Sequence, residues 1–309
     1  MQFVYRSGLC AIFLWMGLAP AFAADFAVTE DPQRPPTFAA PSAPGSADPA
    51  LPAGESRLQL SHRNALIIGG AAALYGAYGR AKWWQDGFDS FKTTREGWFS
   101  KGTRYGGADK LGHMYSNYGT VRLLTPLFEY AGNSHDASVR LAAFTAVGIY
   151  TGIEMADGFS RKWRFSREDA IMNIAGTVLG AAMETYPELD RMIDFRVDYR
   201  PSGNRFDPFG DYSGQKYLLV VKADAFAPLR KNQFTRYLEV GVGYGARGFD
   251  PGEQRRRDAY IGVSLNLSRL LADAGYGGQM HTTPFQRATD RVFDLVQFPT
   301  VGYGRRSLD

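Results

Sequence analysis

Two runs without charge, Leu141 to Ile153 and Ala170 to Met183, are bounded by acids: Glu154 and Asp157 close the first, and Glu168 and Asp169 open the second. Both are shorter than the ~18 apolar residues expected of a bilayer span. They therefore predict helices packed on neighbours, either in a soluble core or in a shallow membrane bundle with polar ends. A third segment, Asp109-Lys110-Leu111-Gly112-His113-Met114-Tyr115-Ser116-Asn117, sets an acid and a histidine four residues apart, with Asn117 one turn further on. On a helix these three share a face. Polar groups recurring at the ends of apolar helices point to one shared site.

A first helix is expected over Asn64 to Gly79, with Ser61 available as a cap. Gly69, Gly70, Gly76 and Gly79 cost helix propensity but allow neighbouring helices to approach closely. The second helix starts near Asp109 and is expected to break near Pro126, the third covers Val139 to Glu154, and the fourth runs from Asp169 to about Tyr186. Between the first two lies Arg80 to Arg104, a mixed-charge stretch with Trp83, Trp84, Phe88, Phe91, Trp98 and Phe99. Such a stretch suits either a membrane interface or an amphipathic helix on a soluble core.

After Asp194 the spacing changes from helical to alternating. Leu238, Val240, Val242, Tyr244 and Ala246 share one face, and Ala259, Ile261, Val263, Leu265 and Leu267 repeat the pattern beyond a turn at Asp250-Pro251-Gly252-Glu253. This predicts a β-hairpin, with Tyr217 to Phe226 as a third strand. Three strands cannot close a barrel, so the tail either covers the helices or borrows strands from another chain. The expected fold is mainly α: a compact bundle of about four Gly/Ala-rich helices, then a small antiparallel β hairpin or sheet at the C-terminus.

The expected organisation is a signal peptide over 1–23, a Pro/Ala-rich disordered linker over 24–60, the helical bundle over 61–195 and a β-rich segment over 196–309. Arg6, the apolar stretch Leu9 to Leu18 and Ala21-Phe22-Ala23 have the layout of a cleaved export signal. The single cysteine, Cys10, lies inside that signal behind Leu9, where a lipoprotein signal carries a small residue. A mature chain without thiols has neither disulfides nor cysteine ligands, so any metal must use His, Asp or Glu. No motif indicates a specific cofactor. The net charge of +4 comes without long Lys/Arg blocks, which argues against nucleic acid and leaves a membrane surface or lipid headgroups as the anionic partner.

The site residues are His113, Asp109, Glu154 and Asp169, with Asp157 and Asn173 beside them. One reading is a metal or acid–base centre, His113 acting with the carboxylates. The other is structural: Asp109 and Asp169 cap helices, while His113 and Asn173 bond across helices near Gly176 and Gly180. The run Arg161-Lys162-Trp163-Arg164-Phe165-Ser166-Arg167 offers Arg161, Arg164 and Arg167 as contacts for phospholipid headgroups or a phosphorylated carrier. His62, His135 and His281 have no comparable neighbours in sequence.

Asp109-Lys110-x-x-His113, Glu154 and Asp169-x-x-x-Asn173-x-x-Gly176-x-x-x-Gly180 together resemble the YfiM-like family of predicted periplasmic proteins and, more distantly, the VanZ-like membrane proteins. The resemblance covers 104–184. It implies a helical, membrane-associated bundle and no settled reaction; the C-terminal strands lie outside it, and a lipoprotein cysteine is not evident. The expected protein is thus a membrane-associated envelope component with a structural or binding role, facing the periplasm and able to dock another envelope protein through its strands. The alternative is an envelope enzyme acting on a lipid-linked or phosphorylated substrate through His113 and the nearby carboxylates.

Overall fold

The computed structural model describes residues 55–203, 206–249 and 252–309. The expected signal peptide and nearly all of the expected linker lie outside these residues, as do Asp250 and Pro251 of the expected turn. The chain divides into two compact units, Met1–Leu66 and Ile67–Asp309. Apart from 55–66, everything described below belongs to the second.

Four long helices come first: α1 (Glu55–Lys82), α2 (Ala108–Tyr130), α3 (His135–Phe159) and α4 (Arg167–Thr185). A two-residue parallel pair, β1 (Thr93–Thr94) with β2 (Phe165–Ser166), ties the loop after α1 to the start of α4. Short α5 (Pro187–Met192) leads into β3 (Ile193–Tyr199), followed by β4 (Gln215–Lys222), α6 (Ala227–Lys231), β5 (Leu238–Arg247), β6 (Arg256–Leu265), α7 (Leu267–Gly275), α8 (Pro284–Leu295) and β7 (Gly302–Ser307). β3 to β7 form one antiparallel sheet in sequence order.

The expected four helices are present, but the fold is not mainly α: it is mixed α/β, and the sheet has five strands rather than a small hairpin. β3 was missed although Ile193, Phe195, Val197 and Tyr199 alternate with Asp194, Arg196 and Asp198 as in a strand, whereas β7, with Gly302, Gly304, Arg305 and Arg306, carries no such signal. Both are held by ladder bonds to a neighbour, β3 to β4 and β7 to β6. Pro126 also does not break α2, which continues to Tyr130. Proline removes one donor, and the rest of the helix stays anchored by burial of Leu124 and Phe128. The stretch Arg80 to Arg104 does not form an amphipathic helix: beyond Lys82 it is mainly irregular, with Trp84 turned inward and Phe88, Phe91 and Trp98 exposed.

α2 and α4 cross in close contact. A Cβ added at Gly176 would collide with the Met114 carbonyl, and one at Gly180 would lie 2.9 Å from Val121 Cβ. Val121, Leu124, Phe128, Ala142 and Ala146 fill the seam between α2 and α3, with Ile67 and Ala71 of α1 against them. Where helices meet sheet, Tyr118 and Met183 pack on Phe195, Tyr217 and Leu295. The Tyr115 hydroxyl donates to the Leu295 carbonyl at 2.7 Å.

The apolar face of the sheet is covered at β3 and the start of β4, where Phe195 and Tyr217 are buried, and is bare over the rest of β4 and across β5 and β6. Cross-strand register aligns Val221, Val240 and Val263 in one row and Leu219, Val242 and Ile261 in the next, with Leu238 opposite Leu265. All eight side chains are exposed, Val242 at 53% and Ile261 at 60%. The opposite face is charged and buried, with Glu239 and Asp258 at 0%. There the Arg196 guanidinium grips Glu239 through two bonds of 2.7 and 2.8 Å and also reaches Asp194. Lys222 bonds Asp194 at 2.8 Å, Lys216 bonds Asp198 at 2.7 Å, and Ser264 donates to Glu239 at 2.9 Å.

Candidate functional site

Gly106 and Gly107 lead into α2 with positive φ, and Gly107 is its N-cap at φ 87°. A side chain at Gly107 would meet the Trp98 carbonyl at 2.7 Å, so glycine allows the preceding loop to fold over the helix start. Tyr244 of β5 donates to the Gly106 carbonyl and Arg257 of β6 to that of Phe99. The sheet thereby clamps the loop that opens the site.

At this end α2 presents Asp109, Lys110, His113 and Asn117, α3 contributes Glu154 and Asp157 from its last turns, and α4 contributes Asp169 and Asn173 from its first. Asp109 and Asp169 do not cap their helices. Gly107 has no side chain to cap α2, and the cap of α4 is Ser166, whose Oγ accepts from Asp169 N at 3.2 Å. Both acids occupy first turns, where the positive end of the helix favours them, and are directed at Lys110.

Lys110 is fully buried, and Nζ donates to Asp169 Oδ1 at 2.7 Å, to Asp109 Oδ2 at 2.9 Å and to Glu96 from the loop. Burial opposes its charge, but Asp169 and Asp109 outweigh that and hold it protonated. His113 lies beside this cluster, its side chain 19% exposed. Nδ1 is 3.1 Å from Asn173 Oδ1, an atom that only accepts, so the ring proton belongs on Nδ1. Nε2 then faces Asp169 Oδ2 at 3.8 Å. Asn117 Nδ2 donates to Asn173 Oδ1 at 2.7 Å, and Thr177 donates to Asn117 Oδ1 at 3.2 Å, completing a polar seam between α2 and α4.

Glu154 is 2% exposed; Oε2 accepts from Ser166 N at 3.3 Å, while Oε1, 3.5 Å from His113 Nδ1, makes no hydrogen bond. Burial, only partly offset by His113, raises Glu154 to about 7. Asp157, which accepts from Trp84 Nε1 at 2.6 Å, is raised by burial to about 6. For His113 burial works against the charged ring, but Asp169, Glu154 and Asp109 prevail and its pKa is raised. An imidazole and a carboxyl in contact, each with its pKa raised, are a pair between which a proton can pass.

Arg161, Arg164 and Arg167 are exposed, and none joins this cluster. Arg164 instead lines an adjoining cavity of about 280 Å³ with Arg104, Lys162, Thr103 and Glu96. Arg161 and Arg167 are not among its walls.

Sequence reading missed Glu96, Trp84 and the central role of Lys110. A lysine next to Asp109 at the head of an otherwise apolar helix was the available signal for the last. A second buried network went unseen as well: Arg122, the only lysine, arginine or acid in α2 between Lys110 and Glu129, sits 3.0 Å from Glu184 and 3.5 Å from Asp294. His135 and His281 do find acids, Glu129 at 2.6 Å and Asp290 at 3.1 Å, both near the surface.

Residues 95–185 match a family described as predicted periplasmic lipoprotein (DUF2279). The matched stretch runs from the loop carrying Glu96 to the end of α4, and so contains almost all of the cluster. No curated protein and no solved structure matches the chain. The family description places the protein in the cell envelope, on the periplasmic face of a membrane. Its lipid attachment is not carried over, since the one cysteine, Cys10, follows Leu9.

Proposed function

We propose that this envelope protein is a membrane-associated binding or structural component that rests its sheet on lipid. The observation that carries this is the bare part of the apolar sheet face: eight aliphatic side chains exposed on β4, β5 and β6, with an ionic network buried on the opposite face. Apolar-out, polar-in strands are the pattern of a β-surface in lipid. The outer rows contain no Trp, Tyr or Arg of the kind that anchors protein interfaces. Acyl chains need no such anchors. Open sheet edges do not occur in hydrocarbon, so the sheet lies along the interface rather than across the bilayer. Exposed Arg161, Lys162, Arg164 and Arg167 are suited to phosphate headgroups.

Among the described residues one helix, α3, is long and apolar enough to cross a membrane. Its Val139, Ala142, Ala146, Tyr150 and Ile153 are buried against neighbours and it ends in the charged cluster, so we read it as a core helix. In this reading the polar seam holds α2 to α4, a role that requires no chemistry. The resemblance to YfiM-like and VanZ-like proteins supports membrane association and supplies no reaction.

Co-sedimentation with vesicles of mixed zwitterionic and anionic phospholipid tests the proposal. The wild type is expected to pellet with vesicles, while Val240→Asp and Ile261→Asp keep the native circular dichroism and stay in the supernatant. A wild-type dimer in solution that ignores vesicles would replace lipid with a second copy as the occupant of this face. The enzyme alternative draws support from one observation, the contact of His113 with Glu154, whose carboxyl is raised to about 7, beside a cavity lined by Arg104, Lys162 and Arg164.

A further inference from the structure

Three acidic groupings among the described residues bring their ligand atoms within 4.8 Å of one another: Glu96 with Asp109 and Asp169, Asp190 with Asp194 and Asp294, and His113 with Glu154 and Asp169. The first holds the Lys110 ammonium. The second is served by Arg122, against Asp190 and Asp294, and by Lys222, 2.8 Å from Asp194. Each already has a cation supplied by the chain. The third has the His113 ring and no lysine or arginine of its own.

The individual contacts sharpen the contrast. Lys110 is turned to Glu96, Asp109 and Asp169 Oδ1, while Glu154 and Asp157 contact His113 and Trp84 instead. Asp169 Oδ2 faces His113 instead. Glu154 Oε1, almost wholly buried, has no hydrogen-bond donor. An orphaned carboxylate oxygen in such a place carries a substantial desolvation cost.

We propose that His113, Glu154 and Asp169 bind one divalent cation of the zinc or manganese class. The donor set of one imidazole and two carboxylates is intermediate between the hard oxygen cages of calcium and the thiolate sites of structural zinc. Ligands on bonds of about 2.0–2.2 Å stand at most roughly 4.4 Å apart, so the observed spacing needs only a slight contraction. The second shell is in place: Asn173 Oδ1 holds the Nδ1 proton and leaves Nε2 toward Asp169, and Ser166 N fixes Glu154 Oε2. Outer contacts of this kind orient ligands and tune affinity. The partial exposure of His113 gives the ion a route in and a place for water. This inference is independent of the lipid-facing sheet.

The test uses the mature protein, stripped with chelator and titrated calorimetrically with Zn²⁺, Mn²⁺ and Mg²⁺ in separate runs. One Zn²⁺ or Mn²⁺ per chain is expected, with Mg²⁺ at least about tenfold weaker because it retains its water and disfavours imidazole. Glu154→Gln and His113→Gln should each weaken binding by about tenfold or more, while His135→Gln leaves it unchanged. Added metal should raise the melting temperature of the wild type, since only the folded chain assembles the site. Should either site variant fail to fold, ligand-field absorption of Co²⁺ bound to the wild type reports imidazole and carboxylate ligation without any substitution. Absence of stoichiometric binding by Zn²⁺ and Mn²⁺, or affinity that His135→Gln abolishes, would overturn the proposal.

Discussion

Gly176 of α4 lies directly against the backbone carbonyl of Met114 on α2, with no room for a methyl group between them. Alanine is favoured over glycine inside a helix by about 1 kcal/mol, yet here the helices would have to move apart. Gly176→Ala is expected to destabilise by roughly 2–3 kcal/mol through overpacking, measured by denaturant unfolding. A more stable variant would mean the two helices are not locked at this spacing.

Lys110→Met removes the ammonium from among Glu96, Asp109 and Asp169 while keeping much of its volume. Stranding buried charges costs about 3–5 kcal/mol, so the variant should be strongly destabilised near neutral pH and partly recover on acidification, as the carboxylates take up protons. Chemical denaturation at two pH values reads this out; an equal loss at both would argue that packing, not charge, is what Lys110 supplies.

His113→Ala separates a packing role from a chemical one. As a member of the seam with Asn173, His113 should cost about 1–3 kcal/mol when removed, and His113→Gln should retain part of that. A His113→Ala protein that melts like the wild type but fails to complement a deletion strain would favour the enzyme alternative.

The metal-free protein should be more stable in mild acid than in mild base. Asp157, Glu154 and His113 all bind protons more readily folded than unfolded, so the stability they contribute is present at low pH and lost on raising it. The losses fall between about 3.8 and 6 for Asp157, between 4.5 and about 7 for Glu154, and from 6.5 upward for His113. Asp169 works in the opposite sense: burial is outweighed by His113 and Lys110, its pKa is lowered, and its contribution disappears as pH falls. Calorimetric melting from pH 5 to pH 8 should therefore show a decline, to which Glu154 contributes on the order of 3 kcal/mol. Glu154→Gln should flatten it, and a wild-type midpoint that rises over this range would contradict the assigned shifts.

Taken alone, the sequence determined the local features of this protein. Charge-free runs marked α3 and α4, the spacing of Asp109, His113 and Asn117 placed them on one helical face, and strict alternation from Leu238 to Leu265 marked the β5–β6 hairpin. These follow from periodicity, which neighbouring residues carry among themselves. Tertiary structure decided what each face meets. Alternation says that Val240 and Glu239 point opposite ways, but only Arg196, 43 positions from Glu239, makes the charged side the buried one. In the same way the motif presents Asp109 and Asp169 as helix-end acids, and only the approach of α2 to α4 turns both onto Lys110, 59 positions from Asp169. β7 became a strand for a related reason, since its ladder partner β6, rather than any hydrophobic pattern of its own, satisfies its backbone.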